Sequence, residues 1–134
     1  QVNSEVSKVA KISEVRAFLV SQQQKLGDDK GIIMDGRDIG TVVFPEAECK
    51  FFLKASPEIR AKRRQLEQIE TGNEESLASV LASIKERDLM DSTRIASPLV
   101  RADDAIEIEV SEKSLEEVYQ QLYKYIIKIL ADSN

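Results

Sequence analysis

Apolar residues recur along this chain with two different rhythms, and the alternation between them predicts its architecture. Gln1 to Lys8 is polar, with Val2, Val6 and Val9 only loosely spaced for one helical face. From Ile12 a helical rhythm sets in. Ile12, Val15, Leu19 and Leu26, with Phe18 beside them, predict a helix that Gly27-Asp28-Asp29 stops. Short continuous apolar runs then replace the stripe: Gly31-Ile32-Ile33-Met34-Asp35-Gly36, Lys50-Phe51-Phe52-Leu53-Lys54, and Ala105 to Val110. Such runs predict three strands, near 31–35, 50–54 and 105–110, buried on both faces as in a parallel sheet.

Between the runs lie helices with legible ends. Ser56-Pro57-Glu58 places an N-cap serine, a proline at the first helical position and an acid in the first turn, and the helix should run to Glu70 before Thr71-Gly72-Asn73. Leu77, Val80, Leu81 and Ile84 share one face of a helix expected to begin near Glu74 and to run towards Asp88. Ser114-Leu115-Glu116-Glu117 fits a capping box, and Leu115, Val118, Leu122, Ile126 and Ile129 give the last helix its stripe. Strands alternating with helices indicate α/β layering. No repeat, linker or low-complexity tract divides the 134 residues, which read as a single domain.

Composition narrows the chemistry. Nineteen Lys and Arg against twenty-four Asp and Glu give a net charge of −5, which argues against bulk electrostatic gripping of nucleic acid. There is no histidine and one cysteine, so His-based catalysis, most zinc sites and an intramolecular disulfide framework drop out. No apolar run reaches the length of a membrane span. A soluble protein of a reducing compartment, the cytoplasm, is the expectation. Cys49 reads as a small hydrophobe beside a strand, Met34 and Met90 as core filler, and Tyr119, Tyr123 and Tyr125 as packing residues of the last helix.

Three clusters remain as candidate chemistry. Asp35-Gly36-Arg37-Asp38-Ile39-Gly40-Thr41 follows the first apolar run, where the carboxyl end of a parallel strand would present ligand-binding groups. Arg37 can fork onto a phosphate and Asp38 can accept from an amine or hydroxyl; the alternative is a tight turn with a surface ion pair. Arg60, Arg63 and Arg64 fall at i, i+3 and i+4, within an arc of roughly 100°. Guanidiniums so crowded suit a polyphosphate, unless Glu58–Lys62 and Glu67–Arg63 pairs make a solvated face. Arg87, Asp91 and Arg94 project from one side if their helix continues, either as a self-satisfied network or with an acid for sugar hydroxyls and a fork for phosphate.

Together the clusters carry a resemblance. The run 35–45 (Asp-Gly-Arg-Asp-Ile-Gly-Thr-Val-Val-Phe-Pro), the run 51–64 (Phe-Phe-Leu-Lys-Ala-Ser-Pro-Glu-Ile-Arg-Ala-Lys-Arg-Arg), Glu-Arg-Asp…Asp-Ser-Thr-Arg…Pro-Leu over 86–99, and Ala-Asp-Asp-Ala at 102–105 resemble the bacterial cytidylate kinases. The likeness runs from about Val2 to the last helix. It implies a nucleoside monophosphate kinase fold, a parallel sheet flanked by helices, with residues 1–30 ending the monophosphate-binding insert and 56–95 forming the lid region. It implies transfer of the ATP γ-phosphoryl group, with Mg²⁺, to CMP or dCMP. Ser7, Arg16 and Asp38 would recognise the cytosine edge. Arg37 and Arg94 would contact phosphate, Arg87 and Asp91 would hold the sugar, and Arg60, Arg63 and Arg64 would close over the ATP phosphates. Arg37, Arg94, Arg60 and Arg64 would thereby surround the migrating charge.

One element of that family is missing from these residues. No Gly-x-x-x-x-Gly-Lys-[Ser/Thr] occurs, so the loop that cradles ATP phosphates and its strand are absent from the 134 residues. With Gln1 and not Met at the start, the expectation is the C-terminal part of a cytidylate kinase. The resemblance places the missing strand in the centre of the sheet, between 31–35 and 50–54, so self-association or local rearrangement is expected. The chain alone is expected to be inactive; the alternatives are a nucleotide- or phosphate-binding module and a structural remnant without a ligand.

Overall fold

A computed structural model describes residues 12–73 and 75–132. It resolves into two compact units, one of residues up to Ala47 together with Asp91–Ala102, the other of Glu48–Met90 together with residues from Asp103 onward.

In the first unit, helix α1 spans Ser13–Leu26 and ends at Gly27, whose N–H bonds back to the Gln24 carbonyl. The end falls where the Gly-Asp-Asp sequence predicts it. The apolar stripe of α1, however, does not make a core: no residue of the helix is buried, and Phe18 is 63% exposed. The helix is held instead through the loop that follows it. Gln24 Nε2 donates to the Val43 carbonyl at 3.1 Å, and Gly27 lies so close beneath Phe44 that a Cβ there would stand 2.5 Å from the ring.

Residues 31–35, expected as a strand, are not one. Lys30 and Gly31 both adopt left-handed backbone, at φ 58° and 68°, and Ile33 is 95% exposed. A strand is stable through a neighbour that takes its backbone N–H and C=O groups, and no described strand pairs with this segment. Beyond it, a π-helical turn, Ile39–Val43, brings three successive amides, those of Thr41, Val42 and Val43, onto the Asp38 carbonyl and buries Val43.

In the second unit, β1 (Phe51–Lys54) and β2 (Ile106–Glu109) pair in parallel, Phe51 opposite Ile106 and Lys54 opposite Glu109. The described sheet thus has two strands where three were expected. β2 also departs from the expectation of burial on both faces, because Ile108 is buried while Glu107 and Glu109 face solvent. Parallel strands need a long crossover, and helices flank this pair. Helix α2 (Pro57–Glu70) starts as its sequence predicts, with Ser56 Oγ accepting from Ile59 N at 3.2 Å. It ends in a Schellman motif: Gly72, at φ 78°, donates to the Ile69 carbonyl and Asn73 to that of Gln68. Helix α3 (Leu77–Thr93) begins three residues later than expected and runs five residues further.

Helix α4 (Leu115–Asp132) opens with the reciprocal capping box, Ser114 N donating to Glu117 Oε2 at 2.7 Å and Glu117 N to Ser114 Oγ at 3.3 Å. Tyr125 packs against Phe51 of β1, ring centroids 6.1 Å apart. Tyr119 and Tyr123 instead stack on each other and stay half exposed, so the packing role expected of all three belongs to Tyr125. Ala61, Val80, Ala105, Ile108 and Val110 are the buried apolar residues of this unit. Cys49 is half-buried, and burial pushes its thiol up from the ordinary value, which favours the protonated form. None of the described helices is long and apolar enough to cross a membrane.

Candidate functional site

The polar residues of the first unit converge where its apolar residues do not. Asp38 caps the π-helical turn and is 3% exposed, although it is a carboxylate. Burying a charge is costly unless it is paired, and Arg16 of α1 supplies the partner by donating from Nη2 to Asp38 Oδ2. Arg16 is itself largely buried, and its Nε finds no hydrogen-bond partner. The helix rhythm that put Arg16 beside the stripe also aims it at the loop, which sequence spacing alone does not reveal.

Arg37, the backbone neighbour of Asp38, turns the other way. Its Nε donates to Asp91 Oδ2 at 2.8 Å, spanning 54 positions of sequence, and its side chain stays 44% exposed. Asp91 is buried in the last turn of α3. Its other oxygen lies 3.7 Å from Arg94 Nη1, and its carbonyl accepts from Leu99 N at 2.7 Å. Arg94 falls one residue beyond the helix, so it does not complete the helical ladder considered above. It is positioned by the loop instead, with Nε donating to the carbonyl of Ser97, a residue in left-handed backbone at φ 54°. Arg94 Nη2 is buried without a hydrogen-bond partner. Among the described residues, Arg16 is thus bonded to Asp38, and Arg37 and Arg94 face Asp91, with donors on Arg16 and Arg94 left without a partner.

The second unit treats its arginines differently. Arg60 is engaged through all three nitrogens: Nη1 and Nη2 hold both oxygens of Asp88, at 2.9 and 2.5 Å, and Nε donates to the Ala55 carbonyl at 3.1 Å. The Asp88 hydrogen bonds hold its pKa above the ordinary guanidinium value. Arg63 reaches the carbonyls of Val110, Ser111 and Lys113, at 2.8, 3.1 and 3.3 Å. Arg64 is exposed, with no ion pair to a described residue. The crowded trio inferred from helical spacing is thus dispersed: Arg60 and Arg63 go to two separate sets of partners, and Arg64 stays exposed. Glu58 pairs with Lys85 and not with Lys62. Asp88, which sequence reasoning missed, is the acid in Glu-Arg-Asp; no local pattern links it to a residue 28 positions away.

Arg87 is half-buried on α3, one turn before Asp91, and Ser7 lies outside the described residues. Among the described residues no group of three or more His, Cys, Asp or Glu side chains comes together as a metal cage. Mg²⁺ typically takes one or two carboxylates, substrate phosphates and water, whereas both carboxylates here, Asp38 and Asp91, are already bonded to arginines. The described residues therefore do not by themselves make a Mg²⁺ site.

A buried carboxylate fixed by one arginine, beside a guanidinium–carboxylate–guanidinium bridge, suits a small anionic ligand that also carries hydrogen-bond donors. Helices flanking a parallel strand pair make the protein one of the α/β class. Residues 1–128 match the family model for cytidylate kinase, and the chain belongs to the cytidylate kinase family. It is 53% identical over 120 residues to the cytidylate kinase of Flavobacterium psychrophilum, covering 90% of this chain and 53% of that protein. It is 52% identical over 132 residues to that of Flavobacterium johnsoniae (96% and 57%), and 54% over 117 residues to that of Parabacteroides distasonis (87% and 51%). The chain spans about half the length of the curated relatives it matches. The family is one of transferases, and its members are kinases by name.

Proposed function

We propose that these residues carry the acceptor side of a cytidylate kinase, a cytoplasmic enzyme that makes CDP or dCDP from CMP or dCMP. Mg²⁺–ATP supplies the phosphoryl group in the whole enzyme. The observation that carries the reading is the buried Asp38 carboxylate held by Arg16 beside the arginines Arg37 and Arg94. In this reading Asp38, with Arg16 and Ser7, meets the cytosine edge. Its oxygen accepts from the exocyclic amine, where uracil presents another acceptor and is disfavoured. Arg37 and Arg94 take the acceptor phosphate as charge-assisted forks. Arg87 and Asp91 lie against the sugar.

Phosphoryl transfer asks the protein chiefly for position and for cations around migrating charge. An acceptor phosphate held from two sides has an oxygen presented for in-line attack, and no side-chain nucleophile is needed. The lack of histidine is consistent with such a site. Arg64 is the best placed of the α2 arginines to face ATP phosphates, since Arg60 and Arg63 are engaged within their own unit. The 134 residues contain no phosphate-loop motif, and alone they are expected to show no turnover.

Calorimetric titration with CMP tests the site. Binding by the native chain that Asp38→Ala abolishes is expected; unaltered binding in the variant removes Asp38 from the site. Release of ADP from ATP, Mg²⁺ and CMP by the chain alone at an enzymatic rate contradicts the expectation of inactivity.

A further inference from the structure

The bond between Arg37 and Asp91 uses only the Nε of the arginine. The edge formed by its two Nη groups stays open, on a side chain that is nearly half exposed. The same carboxylate faces Arg94, whose Nε is anchored on Ser97 and whose Nη2 is a buried donor without a partner. Among the described residues Asp91 is therefore the group that joins both guanidiniums, each tied down at Nε and each with an Nη donor to offer. Free arginine side chains carry substantial rotamer entropy. A fork already fixed loses less on binding than one that must be ordered by the ligand.

We infer that Asp91 is a positioning residue for phosphate, acting through Arg37 and Arg94, in addition to any contact with the sugar. The inference rests on the reading that these two arginines take the acceptor phosphate. Without the carboxylate, the two cations repel each other and Arg37, which makes no other described hydrogen bond, swings into solvent. What is lost is then the phosphate's share of the affinity, while contacts to base and sugar survive.

The decisive quantity is the ratio of cytidine to CMP dissociation constants, measured by calorimetry on the 134-residue chain. Asp91→Asn is expected to shrink this ratio by about tenfold, the worth of one charge-assisted bond. A contact to the sugar alone would weaken cytidine and CMP equally and leave the ratio unmoved, which would overturn the inference. Arg37→Ala is expected to shrink it similarly, and the double variant no further than either; full additivity counts against the coupling. Arg37→Lys keeps the charge and loses the fork, so it serves if Asp91→Asn does not fold: a retained ratio there also overturns the proposal. The arrangement has a ligand-free readout as well. The Arg37 Nε–Hε resonance should shift on Asp91→Asn, and an unchanged resonance refutes the positioning. Failure of CMP to bind the native chain would instead sink the functional reading, with the resonance still reporting on Asp91.

Discussion

Arg16 and Asp38, twenty-two positions apart, form an ion pair that places a nearly inaccessible carboxylate beside a guanidinium whose buried Nε is still unspent. The pair ties helix α1 to the loop, a task its apolar stripe does not perform. Removing one partner of a buried pair leaves the other charge stranded, at a cost of about 3–5 kcal/mol. Arg16→Met is therefore expected to destabilise the chain by about 3 kcal/mol in urea unfolding. The double variant with Asp38→Asn should recover much of the loss, because no charge is then buried. A full loss in the double variant would mean that the cost of Arg16→Met is not that of a stranded charge.

Gly27 makes a second, steric prediction. Its φ is ordinary, so alanine is tolerated by the backbone, but the added Cβ would lie 2.5 Å from Phe44. Gly27→Ala is expected to cost about 1–3 kcal/mol, the range for overpacking, read from the shift in denaturant midpoint. Adding Phe44→Leu should relieve most of that specific penalty.

The hairpin of α2 and α3 rests on Arg60 and Asp88, with Glu58 and Lys85 at 3.2 Å beside them. Arg60 and Asp88 are each about a third exposed, so solvent screening limits the bond. A double-mutant cycle on Arg60→Ala and Asp88→Ala should give a coupling of about 1 kcal/mol, towards the upper end for accessible pairs and favoured by bidentate geometry. A coupling indistinguishable from zero would show that this pair does not help to hold the two helices.

Acid should loosen the chain at identifiable places. Glu117 is held below the ordinary carboxylate value, first by the Ser114 backbone amide and then by its hydroxyl, and Asp104 likewise, first by its hydrogen bond from Lys50. A lowered folded pKa means that the unfolded chain binds protons more readily. The stabilisation is thus complete above the unfolded carboxylate pKa and is lost as pH falls through the lowered folded values. Melting temperature should drop between about pH 5 and about pH 3. Glu117→Gln should show a shallower drop, since its share is already gone at neutral pH. An unchanged slope would remove the capping box from the acid response.

The apolar stripe that runs from Ile12 along helix α1, with Phe18, Leu19 and Leu26, is exposed. Exposed apolar groups of this size favour burial against another surface, so self-association of the 134 residues is expected on sedimentation as concentration rises. A single monomeric species up to millimolar concentration would refute it.

What could be read from the sequence was what neighbouring residues decide among themselves. Ser56-Pro57 and Ser114-Glu117 start helices because the capping partner lies three residues away, and Gly27 and Gly72 end them because the closing bonds are equally local. The arginines and aspartates of Asp-Gly-Arg-Asp and Glu-Arg-Asp…Arg could be singled out for the same reason, as types and spacings. Only the tertiary structure decided the rest. Gly31 to Asp35 has a strand's composition but no strand, since pairing needs a partner from elsewhere. Arg60, Arg63 and Arg64 share an arc of helix yet diverge, because Asp88 and the carbonyls after β2 claim two of them. Arg37 turns to Asp91 and Arg16 to Asp38 across tens of residues. Hydrogen bonds within a few positions are written in local order, whereas bonds across 22 or 54 positions exist only once the chain has folded to bring them within reach.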